Sequence, residues 1–233
     1  MQADGPSTVV IEGGTHNSMS PSFHFLKQSF APLLLRFGPT LELQLDRWGF
    51  YPAGGGQLTA TLTPGPQQAP FHLLEAENHE LSATAVVSNL PGKIALRELK
   101  HICKKLLLSE AQTQILTVPG PGPGNAVWIT ATMKSHAEIF TGFGQKGVAA
   151  ERIAGRLVVA VKRWQERQVP VGEHLADQLL LPLALAGEGS FLTGPPTPHT
   201  LTNMAVIEQF LPVTFTATNR GEQWIIQVNS NNT

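Results

Sequence analysis

Short runs of alternating apolar and polar residues predict strands along much of the chain. Leu41 to Leu45 places leucine at every second position, and Leu58 to Leu62 repeats the pattern as Leu-Thr-Ala-Thr-Leu. Val9 to Glu12 is a β-branched run that stops at the turn pair Gly13-Gly14. Further strands are expected at Leu81–Val87, Thr113–Val118, Ala126–Met133, Ile139–Gly142, Ser190–Thr193, Val213–Ala217 and Gln223–Val228. Between them the apolar spacing lengthens to that of helices. Pro21 to Phe37 carries Phe25, Leu26, Phe30, Leu33 and Leu34 near helical spacing despite Pro32. Lys93–Ser109, Val148–Gln168, Glu173–Leu185 and Thr202–Phe210 read as helices, with Pro170 closing the long one. Val158, Val159, Val161 and Trp164 form the apolar side of that long helix. The class is α+β, and no internal repeat is visible in the residues. Pro64-Gly65-Pro66-Gln67-Gln68 reads as a linker where the composition changes, so a middle segment is inserted between two flanking parts.

Composition narrows the setting. The 233 residues are ample for a core, and 42% hydrophobic against 14% charged excludes wholesale disorder. The longest apolar candidate, Leu179 to Ala186, is interrupted by Pro182, so no membrane span is expected. The first eight residues lack the basic-then-apolar order of a signal peptide. A single cysteine, Cys103, excludes an internal disulfide framework or a cysteine-based zinc site and suits a reducing cytoplasmic location. Sixteen basic residues against seventeen acidic ones remove the crudest signal of nucleic-acid binding, a strongly basic domain.

Candidate chemistry gathers in three places. In Gly49-Phe50-Tyr51-Pro52-Ala53-Gly54-Gly55-Gly56, three successive glycines allow positive φ and close backbone approach, although from spacing alone a hairpin turn is the better explanation. No Lys-Ser/Thr follows Gly56, so this is not a Walker-type phosphate loop. His174, Asp177 and Gln178 share the first turns of a helix, where carboxylates are also favoured by the helix dipole alone. His199 follows the stiff segment Pro195-Pro196-Thr197-Pro198 and immediately precedes a helix, where first-turn N–H groups could bind phosphate or the histidine could merely cap.

Taken together these stretches resemble one family. Arg47 to Gly56 resembles the signature of the RNA 3'-terminal phosphate cyclases. Gly172-Glu173-His174-Leu175-Ala176-Asp177-Gln178-Leu179 and His199-Thr200-Leu201-Thr202-Asn203 resemble that family's C-terminal active-site blocks. Ile11-Glu12-Gly13-Gly14-Thr15-His16-Asn17 is similar to the block preceding its adenine-contacting helix. The resemblance implies an ATP-dependent enzyme of the ligase class acting on RNA with a 3'-phosphate end. A histidine takes AMP from ATP and passes it to that phosphate, and the neighbouring 2'-OH displaces the AMP to leave a 2',3'-cyclic phosphate. Divalent metal, Mg or Mn, would offset triphosphate charge.

Carried over by position, the nucleophile is His199, His174 stacks near the nucleotide, Asp177 and Gln178 lie near nucleotide and nucleophile, and Pro21 and Phe25 contact adenine. No metal-ligating residue is assigned. Trp48 stands where the signature usually has Arg or His. The implied fold is a large cyclase/EPSP-synthase-like domain of repeated βαβαββ-type units, residues 1–68 and 169–233, with a smaller α+β domain, residues 69–168, inserted. The family's N-terminal portion is expected to be absent, which predicts weak or no cyclase activity for this chain alone. A truncated or non-catalytic cyclase-like protein that binds RNA or nucleotide is the alternative.

Overall fold

The computed structural model describes residues 4–66 and 70–231; part of the expected linker, residues 67–68, lies outside them. The described residues form three sheets. Strands β1 (Ser7–Gly13), β2 (Thr40–Arg47) and β3 (Gly56–Thr63) form an antiparallel sheet in the order β1-β3-β2. The chain then adds β4 (Phe71–Leu73) before β5 (Glu80–Ser88), β6 (Thr113–Thr117), β7 (Gly124–Thr132) and β8 (Ala137–Phe143), which make a sheet ordered β6-β5-β7-β8. Strands β9 (Glu188–Thr193), β10 (Val213–Arg220) and β11 (Gln223–Ser230) complete a third, β10-β11-β9-β4, in which β4 pairs parallel with β9. The architecture is mixed α and β, and no described helix is long and apolar enough to cross a membrane.

Helices fill the gaps between sheets. After β1 come α1 (Phe23–Phe25), a π-helical turn (Leu26–Phe30) and α2 (Ala31–Leu35) in one continuous run. Ala31 N–H reaches Leu26 O, five residues back, just ahead of Pro32, whose ring nitrogen has no proton to continue the regular ladder. Helices α3 (Lys93–Leu106) and α4 (Ala150–Arg167) cover one face of the β5–β8 sheet, burying Leu99, Ile102, Ile153 and Val161 against Ala85, Val127 and Ile129. Within α4, Val158, Val161 and Trp164 are buried as the spacing predicts, but Val159 is 56% exposed, one position off the apolar stripe. The opposite face of that sheet, with Val86, Ala126, Trp128 and Ile139, joins the main core of Phe25, Leu33, Leu175, Leu179 and Phe191. Helices α5 (Glu173–Ala186) and α6 (Pro198–Phe210) belong to that core too.

The glycine signature is explained by packing. Gly54 and Gly55 have φ of 64° and 69°, the left-handed region that favours glycine. A Cβ on Gly49 would run into the backbone of Gly13 and Gly56, so the loop closes onto the end of β1. Gly49 N–H donates to Thr15 Oγ1 (3.0 Å), which lies 2.9 Å from His16 Nδ1, and His16 Nε2 is 3.0 Å from His24 Nδ1. His16 stacks on Trp48 with ring centres 4.6 Å apart, and His24 on Trp128 at 4.2 Å. Trp48, the departure from the family signature, therefore packs against the histidine of the preceding block.

A second fastening joins β8 to α5. Glu138 is buried, and its Oε2 accepts the Gly172 N–H at 2.9 Å. A Cβ on Gly172 would lie 2.5 Å from Glu138 Oε1, so a larger residue would have to push the buried carboxyl aside. Burial pushes the Glu138 carboxyl up to about 8, and Glu98, bonded to Asn125 Nδ2 at 3.0 Å, up to about 7. Burial also holds His16 down at about 3 and His24 at about 4, with nearby positive charge (His24 on His16, Lys27 on His24) adding to it.

Two predictions follow from this packing. A Cβ at Gly124 would strike the buried Phe50 ring, whereas one at Gly92 meets open space. Gly124→Ala should lower stability by about 1–3 kcal/mol and Gly92→Ala by less than about 0.5 kcal/mol, read from urea midpoints. The titrating groups act in opposite directions. Folded His16 and His24 refuse protons that the unfolded chain binds near 6.5, so their contribution is full above 6.5 and is lost as pH falls toward 4 and 3. Folded Glu98 and Glu138 keep protons that the unfolded chain releases above 4.5, so stability is lost as pH rises from 4.5 through 7 and 8. Relative to wild type, His24→Gln should flatten the acid limb and Glu138→Gln the alkaline limb, each by at most about 1.4 kcal/mol per pH unit. Profiles parallel to wild type would contradict it.

Candidate nucleotide and phosphoryl-transfer site

The predicted site residues at the C-terminal end come from two neighbouring helix starts. Thr193 closes β9, and its Oγ1 donates to Val171 O at 2.8 Å, tying the approach of α5 to the departure toward α6. Gly194 to Thr197 then crosses to α6, where Thr197 caps the helix by accepting Thr200 N–H at 3.1 Å. Proline at the first helical position needs no N–H there, which is why the helix begins at Pro198. His199 consequently sits inside the first turn of α6 and is exposed; the sequence spacing had placed it just before a helix starting at Thr202.

Asn203, one turn on from His199, joins the two helices. Its Nδ2 donates to Asp177 Oδ1 at 3.1 Å and to Asp177 O at 3.3 Å. Both groups lie near the start of their helices, so α5 and α6 begin side by side. His174, Asp177 and Gln178 fall three and four residues apart on one stripe of α5, with His174 exposed and the other two half-buried. His174 Nε2 lies 3.8 Å from Glu173 Oε1. Helix starts of this kind favour negatively charged ligands.

A cavity of about 120 Å³ adjoins His174 and Pro195, with Glu138, Thr141, Arg163 and Arg167 among its walls. Thr141 also links it to the other half of the predicted site, because its Oγ1 is 3.5 Å from Ser22 Oγ, next to Pro21. Pro21 is exposed, whereas Phe25 is 5% exposed and part of the main core. The surface at this end is therefore Pro21, with the buried Ser22, Phe23 and Phe25 behind it. A larger cavity of about 470 Å³, lined by Glu77, His79, Trp164 and Gln165, touches none of the predicted residues.

Sequence reasoning did not single out Glu138, Thr141, Arg163, Arg167 or Asn203 as site residues. Glu138 and Thr141 lie in a strand, and Arg163 and Arg167 toward the end of a helix, whose neighbours are known only from the fold. Asn203 alone had a signal, as the last residue of the block that begins at His199. Among the described residues no group of three or more His, Cys, Asp or Glu is placed to hold a metal ion. These side chains do not by themselves make a metal site.

A family profile described as RNA 3'-terminal phosphate cyclase matches residues 1–217. The chain is 46% identical over 217 residues to an RNA 3'-terminal phosphate cyclase of Koribacter versatilis, covering 92% of this chain and 61% of that protein. It is 42% identical over 231 residues to one of Ralstonia nicotianae, covering 98% and 66%, and 39% identical over 215 residues to one of Salmonella agona, covering 91% and 62%. The chain thus spans somewhat under two thirds of the length of these curated relatives. With the signature loop, the two helix starts and the His199 turn carried on one continuous match, the chain belongs to the RNA 3'-terminal phosphate cyclase family.

Proposed function

We propose that this chain carries the nucleotide-handling part of an ATP-dependent RNA 3'-phosphate cyclase. The Asn203–Asp177 bond is the observation that carries this reading, because it sets the exposed His199 turn beside the His174–Gln178 stripe. In this reading the His199 imidazole attacks the α-phosphorus of ATP, forming a histidine–AMP bond as pyrophosphate leaves. AMP then passes to an RNA 3'-phosphate, turning a poor phosphate oxygen into a good leaving group, and the adjacent 2'-OH closes the ring. His174 stacks on the nucleotide, Pro21 offers apolar contact to the adenine, and Phe25 supports it from the core. Asp177, oriented by Asn203, and Gln178 position the nucleotide against His199. The helix starts and the Arg163 and Arg167 guanidiniums complement the phosphate charge. Mg or Mn would accompany ATP through its phosphates.

The same reading concerns the fold. With residues 74–172 set aside, β4, α5, β9, α6, β10 and β11 follow one another as a βαβαββ unit. We take the large domain to be built of such units and the segment β5–α4 to be the inserted domain. Pairing of β4 with β9 draws the proposed insert boundary in from residue 69 to the end of β4.

Incubation with α-labelled ATP and Mg or Mn tests the chemistry. The expected result is an acid-labile protein–AMP adduct that His199→Ala abolishes and His174→Ala retains at weaker ATP affinity. No adduct from the folded chain, even when joined to the unmatched part of a curated relative, would leave only a nucleotide- or RNA-binding role. Asn203→Ala should slow adduct formation by about 3- to 10-fold, the value of one positioning hydrogen bond, with little change in ATP affinity. An unchanged rate would remove Asp177 orientation from the account.

A further inference from the structure

Charge is spread unevenly along the chain. Residues 93–167 hold twelve of the sixteen basic residues and five of the seventeen acidic ones, a net of +7, whereas the rest of the chain carries −8. The near-neutral total therefore conceals a basic segment. Ten of those twelve basic residues lie on α3 and α4. The two helices run side by side in the same direction. Arg97 Nε and Nη2 donate to the two Glu151 oxygens at 2.7 and 2.6 Å, and one turn further on a Cβ at Gly155 would lie 3.5 Å from His101 Nε2.

Both helices turn a basic stripe outward. On α4, Arg152, Arg156, Arg163 and Arg167 fall four, seven and four residues apart, on the side opposite the buried Ile153, Leu157 and Val161. The first three are exposed and Arg167 is half-buried. Lys93, Lys100 and Lys104 form the matching exposed stripe of α3. Of the acids on these helices, Glu98 is buried, Glu151 is engaged by Arg97, and Glu166 stands at the edge of the α4 stripe. Trp164, the one Phe, Tyr or Trp on either helix, is buried, so the face offers phosphate contacts and no base stacking.

The α4 stripe ends at the candidate site. Arg163 and Arg167 line the cavity beside His174, and the buried Arg167 Nε has no hydrogen-bond partner, with Glu222 Oε2 3.9 Å away. From there back to Arg152 the helix rises about 22 Å, the length of about six nucleotides of a stacked strand. We propose that the outer face of α4, flanked by α3, is a track for the phosphate backbone of RNA. The 3'-phosphate end enters at the cavity, and the nucleotides preceding it run outward from Arg167 toward Arg152. This rests on the cyclase reading, which brings an RNA end to His199. An anionic membrane fits less well, because the stripe has only Val159 to insert among its arginines.

The test measures binding of 3'-phosphorylated RNA to the full chain by fluorescence anisotropy, without ATP. Arg152→Gln/Arg156→Gln removes two charges from the far end of the stripe. Affinity for an RNA of about 12 nucleotides should fall at least about fivefold, and the slope of log K against log salt should become shallower by about 1.4, from about 0.7 per phosphate. A dinucleotide, at about 3.4 Å per nucleotide, cannot reach from Arg163 to Arg156, and its affinity should stay unchanged. Lys134→Gln/Arg220→Gln, which removes the same charge at exposed positions elsewhere, should leave both affinities unchanged. Equal losses in the two double variants would reduce the effect to net charge and overturn the track. So would wild-type protein that fails to bind the longer RNA at about 50 mM salt, or that binds phosphatidylserine vesicles and no RNA. Because ATP is absent, a missing histidine–AMP adduct leaves this outcome untouched, and Arg152→Gln/Arg156→Gln should form the adduct as wild type does.

Discussion

The candidate site depends on the bond between Gly172 N–H and the buried Glu138 carboxyl. It fastens the β5–β8 sheet to the start of α5, at a glycine whose missing Cβ would crowd the carboxyl. From that anchor the geometry follows in order. Val171 is bonded to Thr193, Thr193 leads into the Gly194–Thr197 crossing, and Thr197 caps the turn that carries His199. A carboxyl this deep is held largely neutral near pH 7, which avoids burying a bare charge and leaves it able to accept the Gly172 proton.

A second anchor does the same for the other end of the site. Thr15, His16 and His24 run from the signature loop to the first turn of the helix behind Pro21, with Trp48 and Trp128 stacked on the two imidazoles. Neutral rings suit this sandwich, since a proton on either would sit in apolar surroundings beside other positive charge. The Ser22–Thr141 contact then brings that first turn to the wall of the cavity beside His174. Segments far apart in the chain, residues 21–25, 138–141 and 172–203, thus meet around one region.

Local pattern revealed most of the elements because local physics makes them. The leucine alternation of β2 and β3, the long amphipathic α4 and the apolar α5 need no tertiary knowledge. The three-residue strand β4 was not legible, since Phe71-His72-Leu73 is too short to show a period and is a strand only because β9 lies beside it. The start of α6 was misplaced because Pro198 looks like a breaker until Thr197 is seen capping the turn. His199, Asp177 and Gln178 were legible through family resemblance, but their mutual placement rests on Asn203, and that bond spans 26 residues.

The most direct measurement of the central claim is a crystal structure of the chain with a non-hydrolysable ATP analogue and Mg. The account predicts the nucleotide at the joined starts of α5 and α6, with the base near Pro21 and His174 and the α-phosphorus about 3–3.5 Å from the His199 imidazole. A nucleotide bound elsewhere, such as the larger cavity lined by Glu77, His79 and Gln165, with His199 left in solvent, would contradict it.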